Sequence, residues 1–334
     1  MLRAQATSQE DAGAAKSGSS RISFASGPIR RPIERVDYLT PEQFENEYVR
    51  RSRPVIMTNR MKDWPALREW TPEYFKKNHG DVVVRVSRNL PDTAVPSRHF
   101  WEDHTGKMTM AEFVDLMNSS ARPCYADSCG LHYFSGEKGK VEFDSLIANA
   151  DGRSLSLLWI GSKGTHSGLH FDRYNNLFGQ IRGEKVVCLL APDQSPYLYQ
   201  FKDVIQKSNI DPERPDLDRY PEARNATIWE ETVRAGDILF IPKLWWHALR
   251  STEPSLSINH WFGKDASIGE VLPLVRTGGV LSWLTIARDF VWHGVVGMPF
   301  KQRLLSEEPN GVWLYNQVAA AIRKRTGRGG DNSG

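Results

Sequence analysis

A chain of 334 residues, 40% hydrophobic and 25% charged, has an ordinary globular composition and could form one large domain or two modest ones. Its net charge of +3 is too small to argue for a nucleic-acid or membrane partner, and no apolar run reaches the roughly 18 residues of a transmembrane helix. Cys124, Cys129 and Cys188 are odd in number and lack zinc-pair spacing, as expected of reduced thiols in a cytoplasmic protein.

Residues 1–28 are rich in Ser, Ala, Gly and Gln and are expected to form a disordered tail. They lack the apolar core of a secretory signal, and Glu10 and Asp11 argue against a transit peptide despite Arg3, Lys16 and Arg21. Thr40-Pro41-Glu42 and Thr71-Pro72-Glu73 each open a helix, with Thr as cap and Pro in the first helical position. Strands are predicted at Arg53 to Met57 and Val82 to Val86, and a short helix at Met108 to Leu116. From about residue 122 short strands follow one another: Ser154 to Ile160, Gly168 to Asp172, Asn176 to Ile181, Lys185 to Leu190, Ile238 to Ile241 and Ser255 to Phe262. Arg182-Gly183-Glu184 reads as a hairpin turn between two of them. This density of short strands predicts a mainly β sandwich or barrel. The period returns to helical after residue 265, at Val271 to Phe290 (with a break at Gly278-Gly279) and at Val312 to Ile322. The expected division is a tail at 1–28, a β domain at 29–265, a helical extension at 266–326 and a frayed end at 327–334.

Two distant stretches suggest a metal site. His170 and Asp172 are two apart on a strand, so they share one face while Phe171 turns away. His247 follows 77 residues later, in Ile241-Pro242-Lys243-Leu244-Trp245-Trp246-His247. Two histidines and one carboxylate are the facial triad of non-haem Fe(II) oxygenases, with open positions for a chelating cosubstrate and dioxygen. His166 is placed across a turn at Gly164 and Gly168, and His260 alternates out of phase with the inward face. If the cosubstrate is 2-oxoglutarate, its distal carboxylate needs a buried cation. Lys185, 15 residues after His170, is placed to supply it; the alternative is an exposed lysine at the end of a hairpin.

The string Ser167-Gly-Leu-His170-Phe-Asp172-Arg-Tyr-Asn-Asn176, continued to Gly183-Glu-Lys185, resembles the core of the JmjC (cupin-type) 2-oxoglutarate oxygenases. Within them it is most similar to the protein hydroxylases typified by the factor-inhibiting-HIF asparaginyl hydroxylase. Gly236-Asp-Ile-Leu-Phe-Ile-Pro-Lys-Leu-Trp-Trp-His247 resembles the second family signature, a turn into a strand ending at the third ligand. The resemblance runs from about Val36 to Phe262. It implies a double-stranded β-helix (jelly-roll, cupin) core with an N-terminal α/β segment and C-terminal helices. It also implies Fe(II) on His170, Asp172 and His247, and 2-oxoglutarate held through its distal carboxylate by Lys185, Ser167 and Tyr125. Asn176 and Asn259 would sit near the C1 carboxylate or the bound oxygens. Trp159 and Trp261 would wall the pocket, or serve simply as core aromatics. The implied reaction consumes O2 and 2-oxoglutarate, releases succinate and CO2, and hydroxylates a side chain of a protein or peptide.

Demethylation of methyl-lysine is less expected, because three cysteines cannot build the zinc clusters that often accompany it. A tRNA or small-molecule hydroxylase and a non-catalytic cupin-like binding protein are the rival readings. Arg173, Tyr174 and the insertion Pro196 to Asp218 are expected to choose the substrate. In the resembling hydroxylases the C-terminal helices form a homodimer interface. The apolar segment Val271 to Trp292 suits that role, or packing on its own barrel.

Overall fold

The computed structural model describes residues 27–90, 105–147, 151–300 and 308–325, so most of the expected N-terminal tail and the C-terminal end lie outside the described residues. The helix starts follow their caps. Thr40 accepts from the Gln43 N–H and Gln43 answers the Thr40 N–H, opening Pro41–Phe44. Thr71 caps Pro72–His79 by accepting from the Tyr74 N–H. The third helix begins at Met110 rather than Met108, because Thr109 and Glu112 form a capping box there.

The described strands are β1 (Ile29–Arg31), β2 (Arg35–Val36), β3 (Val55–Met57), β4 (Val83–Ser87), β5 (Thr105–Thr109), β6 (Tyr125–Gly130) and β7 (Arg153–Gly161). They continue with β8 (His166–Phe171), β9 (Asn175–Arg182), β10 (Glu184–Leu190), β11 (Thr227–Arg234), β12 (Ile238–Ile241), β13 (Trp246–Ser251) and β14 (Ser255–Gly263). One sheet has the order β1-β11-β10-β13-β8, the other β2-β3-β12-β9-β14-β7-β6-β4-β5. From β7 to β14 the chain passes back and forth between the two, except at β10 and β11, which pair within one sheet, and this is the winding of the jelly-roll, cupin-type fold.

That winding corrects three expectations. Arg182-Gly183-Glu184 does not close a hairpin: β9 pairs with β12 and β14, β10 with β11 and β13, so the turn carries the chain from one sheet to the other. No turn separates His166 from His170. β8 runs through Gly168, and a register shift between His247 and Leu249 on β13 absorbs the irregularity. The strand after Gly236 stops at Ile241, so His247 sits not at its end but on the next strand, β13. Pro242 cannot donate to a ladder, and Leu244 takes a left-handed φ of 67° to complete the reversal.

Burial divides into three layers. Leu256, Ile258 and Phe262 of β14 face away from the barrel, joining Phe44, Trp64, Trp70, Phe75 and Phe113 of the N-terminal segment. Leu169, Phe171, Trp246 and Ala248 of the smaller sheet pack outward against Val271, Leu274, Ile286 and Trp313 of the C-terminal helices. A third, smaller cluster contains Phe178, Val187, Leu189, Leu239 and Ile241. The C-terminal helices are Ile268–Thr277, Gly279–Asp289, which runs on into a π-helical segment at Phe290–Val295, and Asn310–Arg325, with the expected break at Gly278-Gly279, where Gly279 has φ 74°. No helix among the described residues is long and apolar enough to cross a membrane.

Gly183 is fixed by this topology: its φ is 70°, and a Cβ there would lie 2.3 Å from the Pro254 carbonyl oxygen. Gly183→Ala is expected to lower stability by about 1–3 kcal/mol. The measurement is the urea midpoint, and an unchanged value would contradict this account of the crossover.

Candidate active site

The ladder between β8 and β13 sets His170 directly opposite His247, with ring centroids 4.2 Å apart. Asp172 follows the last residue of β8, and its Oδ2 lies 3.7 Å from His247 Nε2. One ligand-type atom from each of the three residues lies within 4.8 Å of the others. Both imidazoles are oriented through their far nitrogens. His170 Nδ1 is 2.7 Å from the Gly168 carbonyl oxygen and His247 Nδ1 is 3.0 Å from that of Trp245. With Nδ1–H donating, the Nε2 lone pairs are left for a metal. Burial holds both histidines below their ordinary pKa, and nearby Lys207 pushes the same way, so each is the neutral form that a metal requires.

Asp172 is held from two sides. The Trp261 indole N–H donates to its Oδ2 at 2.9 Å, and the Leu244 N–H donates to its backbone oxygen at 2.7 Å. The turn that ends β12 therefore helps position Asp172, just past the end of β8 in the other sheet. Two imidazole nitrogens and one carboxylate oxygen form a donor set suited to Fe(II) with coordination positions left open.

Lys185 stands next to the Gly183 crossover, on β10. It is 3% exposed, so the exposed-lysine alternative does not hold. Its Nζ donates to Ser257 Oγ at 2.8 Å and Tyr125 Oη at 3.2 Å, both neutral groups. Burial pushes the ammonium down to a pKa of about 7. A buried cation whose described partners are hydroxyls is a ready site for an anion. Burial drives the Tyr125 phenol upward, keeping it protonated and able to donate. Ser167 Oγ accepts from the Leu249 N–H at 3.1 Å where the register shifts. Asn259 Nδ2 donates to Asn176 Oδ1 at 2.9 Å, so these two inward amides orient each other.

Trp159 lies against Tyr125, with centroids 5.6 Å apart, and its Nε1 is buried without a hydrogen-bond partner in the described structure. His170, Asp172, Trp159 and Trp261 line a cavity of about 1010 Å³, together with Arg173 and Tyr174. Of the insertion expected to choose substrate, Asp203, Val204, Gln206 and Lys207 reach this cavity. Its Glu213 instead pairs with Arg250, and its Pro212 carbonyl accepts from Arg30. His260 is engaged elsewhere, 2.9 Å from Ser156 Oγ and stacked on Phe143. Sequence reasoning assigned no role to Ser257, although its parity with Asn259 already placed it on the inward face. Lys207, expected only as part of the substrate-choosing insertion, meets His170 through an isolated bridge formed by a loop.

A model of the cupin-like domain matches residues 41–267. Rat HSPB1-associated protein 1 is 28% identical over 337 residues, covering 91% of this chain and 68% of the rat protein. The human bifunctional peptidase and (3S)-lysyl hydroxylase JMJD7 is 27% identical over 265 residues, 68% of this chain and 82% of its own length. Lysine-specific demethylase 8 of Xenopus tropicalis is 27% identical over 238 residues, 66% of this chain and 50% of its own length. The matched span contains both sheets of the jelly roll except β1 and β2, and all three clustered ligand-type residues. On that span the chain belongs to the cupin-like family, within the JmjC-type 2-oxoglutarate oxygenase superfamily.

Proposed function

We propose that this protein is an Fe(II)- and 2-oxoglutarate-dependent dioxygenase of the cytoplasm that hydroxylates an amino-acid side chain of a protein or peptide. The observation that carries the reading is the pairing, within one fold, of a two-histidine, one-carboxylate cluster with a buried lysine whose hydrogen-bond partners among the described residues are neutral hydroxyls. His170, Asp172 and His247 would hold the metal. Lys185, with Tyr125 and Ser167, would receive the distal carboxylate of 2-oxoglutarate; the orphaned indole N–H of Trp159 fits the same reading. Asn176 and Asn259 would orient the metal-binding end. When bound, Fe(II) with 2-oxoglutarate and O2 supplies the oxidative chemistry, yielding succinate, CO2 and a hydroxylated C–H position.

The residues themselves bind, orient and shield. The Nδ1 bonds fix both imidazoles before any metal arrives, and Trp261 restrains the carboxylate of Asp172. The barrel excludes bulk water from Lys185, which strengthens its attraction for a carboxylate. A protein substrate is favoured by the likeness of the Ser167–Lys185 motif to the factor-inhibiting-HIF asparaginyl hydroxylase group. It is also favoured by a relative named as a lysyl hydroxylase. The demethylase relative keeps the competing chemistry in view.

Purified protein given Fe(II), ascorbate and 2-oxoglutarate is expected to form succinate, and a peptide substrate should gain the mass of one oxygen atom. The double substitution His170→Ala with Asp172→Ala should abolish both iron retention and succinate formation. Loss of a methyl group from the peptide would instead assign demethylation, and undiminished succinate from the double variant would sink the reading.

Lys185 makes a separate prediction. Its folded pKa of about 7 lies below the usual value of 10.5, so from pH 7 toward 10 the unfolded chain binds a proton that the fold does not. The destabilisation by the buried ammonium is complete below pH 7 and is relieved as pH rises through that window. The unliganded wild type should therefore gain stability relative to Lys185→Met between pH 7 and 9, as read by chemical denaturation. Calorimetry at pH 8 should register proton uptake when wild type binds 2-oxoglutarate with a redox-inert metal, and loss of measurable binding in Lys185→Met.

A further inference from the structure

The shared domain ends at residue 267, yet the cavity does not. Its outer wall includes Asp289, Trp292, His293, Phe300 and Asn310, all from the C-terminal helices and their connections. Two ties bind this wall to the metal-site strand. Gln206 and Asn310, 4% and 7% exposed, exchange two amide hydrogen bonds of 2.6 and 3.0 Å. The Gln206 carbonyl in turn accepts from the Phe171 N–H at 3.1 Å, between His170 and Asp172 in sequence. The second tie runs through Arg173, adjacent to Asp172. Arg173 donates to Asp265 Oδ1 at 3.2 Å, and Asp265 Oδ2 accepts from the Trp313 indole at 3.0 Å.

A helix held this closely to two ligand residues is part of the site's architecture. Trp292 and Phe300 remain 53% and 39% exposed although both line the cavity that contains His170 and Asp172. They are open to an occupant that extends from the clustered histidines to the outer wall. Large apolar rings left open beside a reaction centre gain most from an apolar contact.

We propose that the C-terminal helices form the substrate-selecting wall of this cavity, fixed by the Gln206–Asn310 pair, and that Trp292 and Phe300 receive an apolar side chain flanking the residue to be hydroxylated. The inference rests on the protein-hydroxylase reading above. Gln206 and Asn310 act as positioning residues; Trp292 and Phe300 touch the substrate.

The probe is a tryptic peptide library incubated with the full-length enzyme, Fe(II), ascorbate and 2-oxoglutarate, scored by mass spectrometry for gain of oxygen. Accepted peptides should be enriched in an apolar residue near the modified position. On the best peptide, Trp292→Ala should raise KM about tenfold with kcat nearly unchanged. Asn310→Leu should act in the same direction, and the exchange Gln206→Asn with Asn310→Gln, which preserves both amide bonds, should restore KM. Unchanged KM in Trp292→Ala, or no apolar enrichment, overturns the wall while leaving the oxygenase reading intact. A solution mass of a dimer that falls to monomer in Trp292→Ala would assign these rings to a second copy of the chain and likewise overturn it. Succinate without oxygen gain on any peptide removes the protein-substrate reading and the wall together; no succinate at all removes the oxygenase reading itself.

Discussion

Lys185 places an ammonium group inside a β-barrel, 3% exposed, with Ser257 and Tyr125 hydroxyls as its partners. The interior around it cannot be a conventional hydrocarbon core. β14 answers this by reversing the usual polarity of a sandwich strand: Ser257, Asn259 and Trp261 serve the site, while Leu256, Ile258 and Phe262 point away from it. Most of the large apolar side chains consequently pack on the outer faces of the two sheets. The N-terminal helices cover one face and the C-terminal helices the other, and burial there offsets the unfavourable burial of charge within. The flanking segments are thus a condition for the site rather than ornaments to the barrel.

The same economy governs the clustered histidines and carboxylate. His170 and His247 meet because β8 and β13 pair in that register, and backbone carbonyls at Gly168 and Trp245 fix their tautomers. Asp172 lies beyond the strand end, where no ladder holds it. Its orientation comes from the Trp261 indole and the Leu244 N–H, the latter available because the turn at Pro242–Trp245 takes a left-handed step. Three side chains from two distant segments reach one point with little freedom left to lose.

Much of this was readable from residue order. The parity of His170 with Asp172, and of Ser257 with Asn259 and Trp261, follows from the two-residue repeat of a strand and survives in the folded chain. The helix starts after Thr40 and Thr71 were legible because each threonine satisfies an N–H group three residues ahead and is followed by proline; the start after Thr109 lacks that proline and was placed two residues early, although its hydroxyl caps in the same way. The turn at Arg182–Glu184 was misread because glycine with positive φ looks the same locally whether it closes a hairpin or joins two sheets. The strand partners that distinguish the two cases lie about seventy residues away along the chain. His247 was misplaced by one strand for a related reason: Pro242 and Leu244 signal a turn only once the chain is known to reverse there.

Residue order alone carries the side-chain types gathered here, two imidazoles, a carboxylate and a lysine, and the strand character that turns His170 and Asp172 toward one face, since these depend on short-range periodicity and side-chain type. Tertiary structure decided what surrounds that chemistry. The meeting of Gln206 with Asn310, of Arg173 with Trp313, and of Trp292 with the cavity joins positions roughly 85 to 140 residues apart with no periodic signature. Contacts of that kind follow from how helices dock on a finished barrel, which no local pattern of residues encodes.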